Sequence, residues 1–394
     1  MMRPELLAPA GDLEKVKIAL LYGADAVYIG GRTFSLRARA SKFGVTDIFE
    51  AVNFAHKLKK KIYVTCNIVP HSEDLKELDD YLLDLERIKV DAIIVSNPYV
   101  LKRAQELTDL EIHISTQQSV TNSIECVYWF SEGAKRIVLA RELSLEEIAI
   151  IKKKTHAELE IFIHGGMCVS YSGRCTLSNV MSLRDANRGG CAHSCRWEYD
   201  LFKNHELVAS DFQMASRDLA AIEYVPRLID IGVDSLKIEG RMKSIHYIAT
   251  IVHTYRKLID DYLSGNLQSQ ETYENEIKKA ENRPTGPGFL NSAASEERQL
   301  YQVNQFPHVK EFCGVVISYD RLSKKALIEQ RNFFAINDTI EIFSPDQEER
   351  HFKIASILSE NGEELDAARH PLQKILIDSD ITLKPYDLLR RVIE

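Results

Sequence analysis

Four of the seven cysteines fall in one segment, HGGMCVSYSGRCTLSNVMSLRDANRGGCAHSCRW, with the spacing Cys168-x6-Cys175-x15-Cys191-x3-Cys195. Four thiolates this close in sequence can complete a four-cysteine site for a metal ion or an iron–sulfur cluster. The intervening Gly165, Gly166, Gly173, Gly189 and Gly190 let backbone wrap closely around such a centre. Structural zinc sites favour cysteine pairs separated by about two to four residues, and only the last pair fits. The spacing also differs from the C-x-x-x-C-x-x-C of radical S-adenosylmethionine enzymes, and by itself it leaves zinc and iron–sulfur open. An odd cysteine count at low density does not suit a disulfide scaffold. Cys66, Cys126 and Cys313 read as core thiols.

A second chemistry comes from strand phase, because residues two apart in a strand share a face. In EIHIST, His113 and Ser115 oppose Ile112 and Ile114, and Gln117 continues the polar side. In KIYVTCN, Tyr63, Thr65 and Asn67 oppose Ile62 and Val64, with Cys66 on the aliphatic face. In ELEIFIHG, Glu160, Phe162 and His164 oppose Ile161 and Ile163; in DSLKIEGR, Ser235, Lys237 and Glu239 oppose Leu236 and Ile238. Arginines follow several strands: Arg32, Arg37 and Arg39, then Arg141, then Arg241. Guanidinium groups match carboxylates and phosphates bidentately. The pattern predicts a pocket for a polar, anionic small molecule, with Arg37, Ser115, Gln117, Arg141 and Arg241 as binding groups. His164, Glu239 and Lys237 are the candidate proton-transfer groups. The competing structural reading is a set of satisfied ion pairs, Lys237 with Glu160 or Glu239.

The elements that must position these groups alternate β-rich runs with helical patterns over the first 240 residues. Strands are expected at Glu5–Ala10, Ala26–Gly30, Lys61–Asn67, Ala92–Ser96, Glu111–Thr116, Arg136–Arg141, Glu158–His164 and Ser235–Glu239. Such alternation implies a parallel sheet, and eight units match a (β/α)8 TIM-like barrel. A doubly wound dinucleotide fold is disfavoured, since no G-x-G-x-x-G follows the first strand. The cysteine segment, about 165–200, then becomes an insertion after strand seven, over the C-terminal mouth where barrel enzymes do their chemistry. NRPTGPGFLNS ends the barrel domain at about 290, a linker runs over 291–307, and short β-rich runs over 308–394 fit a small antiparallel β-barrel.

The formal net charge of −8 argues against a protein coated in basic residues, while leaving room for a local basic patch. No apolar run reaches the length of a membrane span, and the N-terminus shows no signal-peptide pattern, so a cytoplasmic protein with no membrane partner is expected. The absence of H-E-x-x-H and G-x-S-x-G motifs weighs against a hydrolase. The lysine runs at 57–61 and 152–154 read as solvated helix ends.

ELEIFIHGGMCVSYSGRCTLSN at 158–179, RDANRGGCAHSCRWEYDL at 184–201, STQQSVTN at 115–122, and SRDL with DSLKIEGRMKS near 216–244 resemble the peptidase U32 family over about the first 290 residues. The C-terminal region is similar to the small β-barrel appended in many members. Despite its name, the family includes oxygen-independent hydroxylation proteins that act on tRNA, on ribosomal RNA or on a quinone precursor. Chain length and the single C-terminal barrel most resemble the tRNA branch. The resemblance implies a [4Fe-4S] cluster held by Cys168, Cys175, Cys191 and Cys195. It also implies 5-hydroxyuridine formed at the wobble position, and prephenate or a similar dicarboxylate as hydroxyl donor. A homo- or hetero-oligomer with another U32 protein is a further expectation, and a collagenase-like peptidase is the alternative activity.

Overall fold

A computed structural model describes residues 3–36, 43–280, 283–291, 295, 298–300, 310–345 and 350–392. Eight parallel strands close into a barrel: β1 (Glu5–Pro9), β2 (Ala26–Gly30), β3 (Lys61–Cys66), β4 (Ala92–Val95), β5 (Glu111–Ile114), β6 (Arg136–Val138), β7 (Glu158–Gly165) and β8 (Ser235–Ile238). Closure is made by β8, where Ser235 pairs with Glu5 of β1 and Glu160 of β7, leaving the barrel no free edge. The barrel is the one the alternating pattern predicts, with strand ends within a few residues of those expected.

The helical layer is α1 (Leu13–Leu21), α2 (Val45–Lys57), α3 (Leu78–Arg87), α4 (Pro98–Leu107), α5 (Ser123–Ser131), α6 (Leu145–Lys154), α7 (Val225–Ile231) and α8 (Ile245–Ser264). Local chemistry starts these helices where the strands release the chain. The side chains of Asp12, Asn97, Asn122, Ser144 and Ser244 each accept a first-turn backbone N–H. Under the helices lies one apolar layer that includes Leu6, Val27, Ile62, Val64, Cys66, Ile112, Ile161 and Leu236, the aliphatic faces read from strand phase. Among the described residues no helix is long and apolar enough to cross a membrane.

Between β7 and α7 the chain makes a long excursion. It carries a short helix (Leu177–Ser182), two single helical turns, and a two-stranded ribbon (Tyr199–Lys203 with Glu206–Phe212). It returns as Asp218–Ala220, antiparallel to β7, with Leu219 opposite Gly165. The insertion therefore outruns the cysteine segment by a ribbon and a return strand.

The C-terminal region forms an eight-stranded, wholly antiparallel sheet around Cys313, Val316, Ile328, Ile340, Ile375 and Leu389. It docks on the helical layer through a shared core that takes in Val315, Phe343 and Leu388. Arg390, fully buried, donates to His246 and Thr250 of α8 and to Glu341 of its own sheet. Tyr22, at the end of α1, donates its hydroxyl to the Phe343 carbonyl at 2.8 Å. Most of the linker expected at 291–307 lies outside the described residues.

Candidate functional site

Inside the barrel the polar residues divide into two levels. At the lower level Arg136 is the hub. It reaches Glu5 at 2.5 Å, Glu158 at 2.9 Å and Glu160 at 3.3 Å, while Lys237 donates to Glu160 at 2.7 Å. Tyr63 and Ser235 complete Glu5 with hydrogen bonds of 2.6 and 3.1 Å. Burial alone would raise the Glu160 pKa, but the charges of Lys237 and Arg136 outweigh it and hold the carboxyl below its usual range. On the β1–β4 side the lumen is filled by Leu7, Ala26, Tyr28, Tyr63, Ala92 and Ile94. The ion-pair reading of Lys237 and Glu160 is thus realised at this level.

Above it opens a cavity of about 270 Å3. Its wall includes Thr65, Asn67, Ser115 and Gln117 from the β3 and β5 ends, Arg141 after β6, and Lys237, Glu239 and Arg241 at the β8 end. Each cationic group here has a set direction. The Arg141 guanidinium carbon sits over the Phe162 ring, 3.9 Å from its centroid, and Arg141 donates to Ser172 at 3.2 Å. Arg241 donates to Ser35 and Thr65 at 3.1 and 3.2 Å. Lys237 sits 4.4 Å from the centroid of Tyr28. Tyr28 donates its hydroxyl to Glu239 at 2.6 Å, and burial and that carboxylate raise its pKa, so it stays a donor. Counting charged liners, Arg141, Arg196, Lys237, Arg241 and Lys243 stand against Asp218 and Glu239, an excess of three positive charges in a chain of net charge −8. A cavity so lined favours an anion.

Two glycines make this geometry. A Cβ on Gly30 would lie 2.4 Å from Nη1 of Arg241, so only glycine leaves room for that guanidinium. Gly165 has φ 104° and its missing Cβ would meet the Glu239 carbonyl at 2.2 Å, so β7 can turn out of the barrel against the end of β8.

All four clustered cysteines, Cys168, Cys175, Cys191 and Cys195, line this same cavity. Burial pushes the Cys168 and Cys195 thiols up; Cys175 and Cys191 raise both further, and Cys168 also raises Cys195. The insertion carrying them roofs the mouth and is stitched to the opposite rim. Val69 donates to the Asn187 carbonyl at 3.0 Å, Ser119 to the Ser172 carbonyl at 2.7 Å, and Arg188 to Asp74 at 2.9 Å. Cys66 packs in the layer under the helices, away from the lumen.

His164 departs from its expected place. The pairing of β7 with β8 slips between Lys237 and Ile238, which breaks the period-two phase and puts His164 beside Ile238. Its ring turns outward between Tyr247 and Tyr255 of α8, with Nδ1 3.3 Å from the Tyr255 hydroxyl. Burial, and the nearby Lys243, lower its pKa to about 3, so it is neutral. It does not line the cavity and is not placed to move a proton there. Arg37 and Arg39 lie outside the described residues, and Arg32 is exposed.

Strand phase missed several liners. Tyr28 comes from AVYIG, which is buried on both faces and shows no alternation. Asp218 belongs to the return strand of the insertion, where no periodicity survives. It is buried, its Oδ1 makes no hydrogen bond among the described residues, and its charge faces Arg196 at 3.6 Å and Lys243 at 3.9 Å. The SRDL sequence around it was the only signal available.

Comparison with known proteins follows this division of the molecule. The sequence profile of peptidase family U32 matches residues 11–300, and that of the peptidase family U32 C-terminal domain matches residues 309–390. A Bacillus subtilis protein named tRNA hydroxylation protein P1 is 45% identical over 400 residues, covering 99% of this chain and 95% of the relative. An Escherichia coli protein named 23S rRNA 5-hydroxycytidine C2501 synthase is 40% identical over 260 residues, 66% of this chain and 39% of that protein. A Porphyromonas gingivalis protein named collagenase is 32% identical over 282 residues, 68% of each chain.

Proposed function

This chain belongs to peptidase family U32, and from that membership we propose that it hydroxylates RNA, forming 5-hydroxyuridine at the wobble position of tRNA. The observation that carries the reading is a cationic cavity at the barrel mouth with four thiols in its roof. The near full-length likeness to a tRNA hydroxylation protein supports the choice of RNA.

Cys168, Cys175, Cys191 and Cys195 are the proposed ligands of a [4Fe-4S] cluster. Four thiolates lining one cavity need a compensating positive charge, which iron would supply. Among the described residues no three ligating side chains gather as around a single ion. A four-iron cluster asks less of them, since each thiolate binds a different iron. When bound, the cluster supplies one-electron chemistry beside the cavity.

The hydroxyl donor is proposed to be a dicarboxylate such as prephenate. Transfer balances as base–H plus R–OH giving base–OH plus R–H, with no dioxygen and no external oxidant. Arg141 and Arg241, each held by neighbouring hydroxyls, would take the carboxylates. Lys237 is already paired with Glu160 and adds field more than a free contact. Glu239, held by Tyr28, is the carboxylate placed to hold a proton at the cavity wall. The test is mass spectrometry of tRNA nucleosides from a strain lacking the gene. Complementation by the native chain restores 5-hydroxyuridine, and a strain that keeps full modification without the gene removes the proposal.

The collagenase name favours a second reading, peptide hydrolysis. It needs a base beside a thiol: His164 lies behind β7, bonded to Tyr255, which leaves His193 as the histidine that lines the cavity with the four cysteines. Gelatin cleavage by purified protein, with tRNA modification unaffected by gene loss, would establish it instead.

A further inference from the structure

We infer that an unpaired RNA loop docks on the outer face of the cysteine-rich insertion, with Tyr171 and Leu183 contacting bases and Arg174 and Arg184 contacting phosphates. The inference rests on the RNA-hydroxylation reading and adds where the polymer lies.

The first ground is geometric. Every liner of the cavity among the described residues comes from the barrel or the insertion, and none from the C-terminal sheet. A base entering the cavity must cross the rim that the insertion builds, so its neighbours in the polymer must lie on that rim. Tyr171 stands at this threshold: it lines the cavity and is still 49% exposed.

The second ground is Leu183. The chain leaves the cavity wall at Ser178 and returns to it at Ala186, and Leu183 is at the outer turn between them. It is 93% exposed and sits at φ 53°, ψ 32°. A leucine in the left-handed region is disfavoured, and here its side chain gains almost no contact within the chain that would offset the cost. Val180, Met181 and Trp197 are exposed on the same insertion. Apolar and aromatic side chains on a rim suit unstacked bases, each of which offers a π-face.

The third ground is charge. Over residues 165–197 the insertion carries Arg174, Arg184, Arg188 and Arg196 against a single carboxylate, Asp185. Arg188 is committed to Glu73 and Asp74, whereas Arg174 and Arg184 are exposed and meet no carboxylate among the described residues. In a chain of net charge −8 this is a local reversal, and it selects a polyanion over a second copy of an acidic protein.

The experiment measures fluorescence anisotropy of a labelled anticodon stem–loop with uridine at the wobble position, using the full-length chain. Leu183→Gly relieves the backbone while removing the side chain, so it should keep or raise thermal stability and still weaken binding. Tyr171→Ala should weaken binding by about tenfold, the scale of one lost base stack. Arg184→Ala should weaken it and lower the slope of log affinity against log salt by about one. Lys324→Ala with Lys325→Ala, on the C-terminal sheet, should change nothing. Native-like affinity in folded Leu183→Gly and Tyr171→Ala proteins overturns the inference while leaving the function intact. Unchanged RNA affinity with a dimer broken by Leu183→Gly in sedimentation also overturns it, making the face a protein contact. A native chain that binds neither the stem–loop nor whole tRNA overturns the function itself.

Discussion

The two levels of the lumen are built from the same strands and nearly the same residue types, yet they end differently. Below, Arg136 and Lys237 meet Glu5, Glu158 and Glu160, and the charges close on one another. Above, cationic groups exceed carboxylates, and hydroxyls orient the guanidinium groups, Ser172 that of Arg141 and Ser35 with Thr65 that of Arg241. A polar barrel interior therefore does not mark a site by itself. What marks it is a level where cationic side chains outnumber the carboxylates around an open cavity.

The sharpest way to break this comparison is through the roof. Cys168→Ser is expected to abolish tRNA modification to the level of the deletion strain and to leave anaerobically purified protein without iron and without brown colour. Full iron content in that variant would detach the upper level from any cluster. Next comes the hub below. Arg136→Ala leaves the half-buried Glu5 without its cation and takes one of two from Glu158 and Glu160, so unfolding by urea should show a loss of roughly 3–5 kcal/mol. Arg241→Ala should cost little stability but reduce hydroxylation about 100-fold, or ~2.7 kcal/mol of transition-state free energy. If the two variants exchanged phenotypes, the assignment of structure below and chemistry above would be reversed.

How much of this was legible in the sequence depends on where two-residue periodicity holds. It holds on β3, β5 and β8, so Thr65, Asn67, Ser115, Lys237 and Glu239 face the cavity as their phase predicts. It fails at the end of β7, where the register slip and the positive φ of Gly165 turn His164 outward. It is silent for Tyr28, since a strand buried on both faces carries no alternation. Asp218 enters from a three-residue return strand, and Arg196 and Lys243 from a helical turn and a loop, all too short to carry a periodicity. The cysteine spacing placed the four thiols together because one excursion carries them all, and no long-range pairing had to be guessed.

The outward turn of His164 has its own consequence for stability. Its folded pKa is lowered to about 3 by burial, so the unfolded chain binds a proton first, beginning near the ordinary value of 6.5. Stability is therefore complete above that value and declines as pH falls towards the folded pKa, by about 1.4 kcal/mol per pH unit for one such group. His113 and His253 are lowered in the same direction, again by burial. Urea unfolding between about pH 6.5 and 5 should show this slope before most unfolded carboxylates titrate, and His164→Phe should flatten it by up to about a third. An unchanged slope would mean that the His164 ring is not buried behind β7.

The smallest effect concerns how the roof is held. Arg188 crosses from the insertion to the loop after β3, meeting Glu73 at 2.8 Å and Asp74 at 2.9 Å, with its side chain a quarter exposed. Such a pair is worth about 0.2–1 kcal/mol, so Arg188→Ala should barely move the unfolding midpoint. Its mechanical role is larger than its energy, because the segment from Asn187 to Cys191 has few other ties to that rim, the backbone bond from Val69 to Asn187 among them. Releasing it should let the roof open more often. In metal-free protein, Cys175 and Cys191 should then react with iodoacetamide several times faster, while the buried Cys66 keeps its native rate. Equal rates at all three thiols would show that the insertion is fixed by its own packing, and that the upper level owes its shape to the roof alone rather than to the rim it touches.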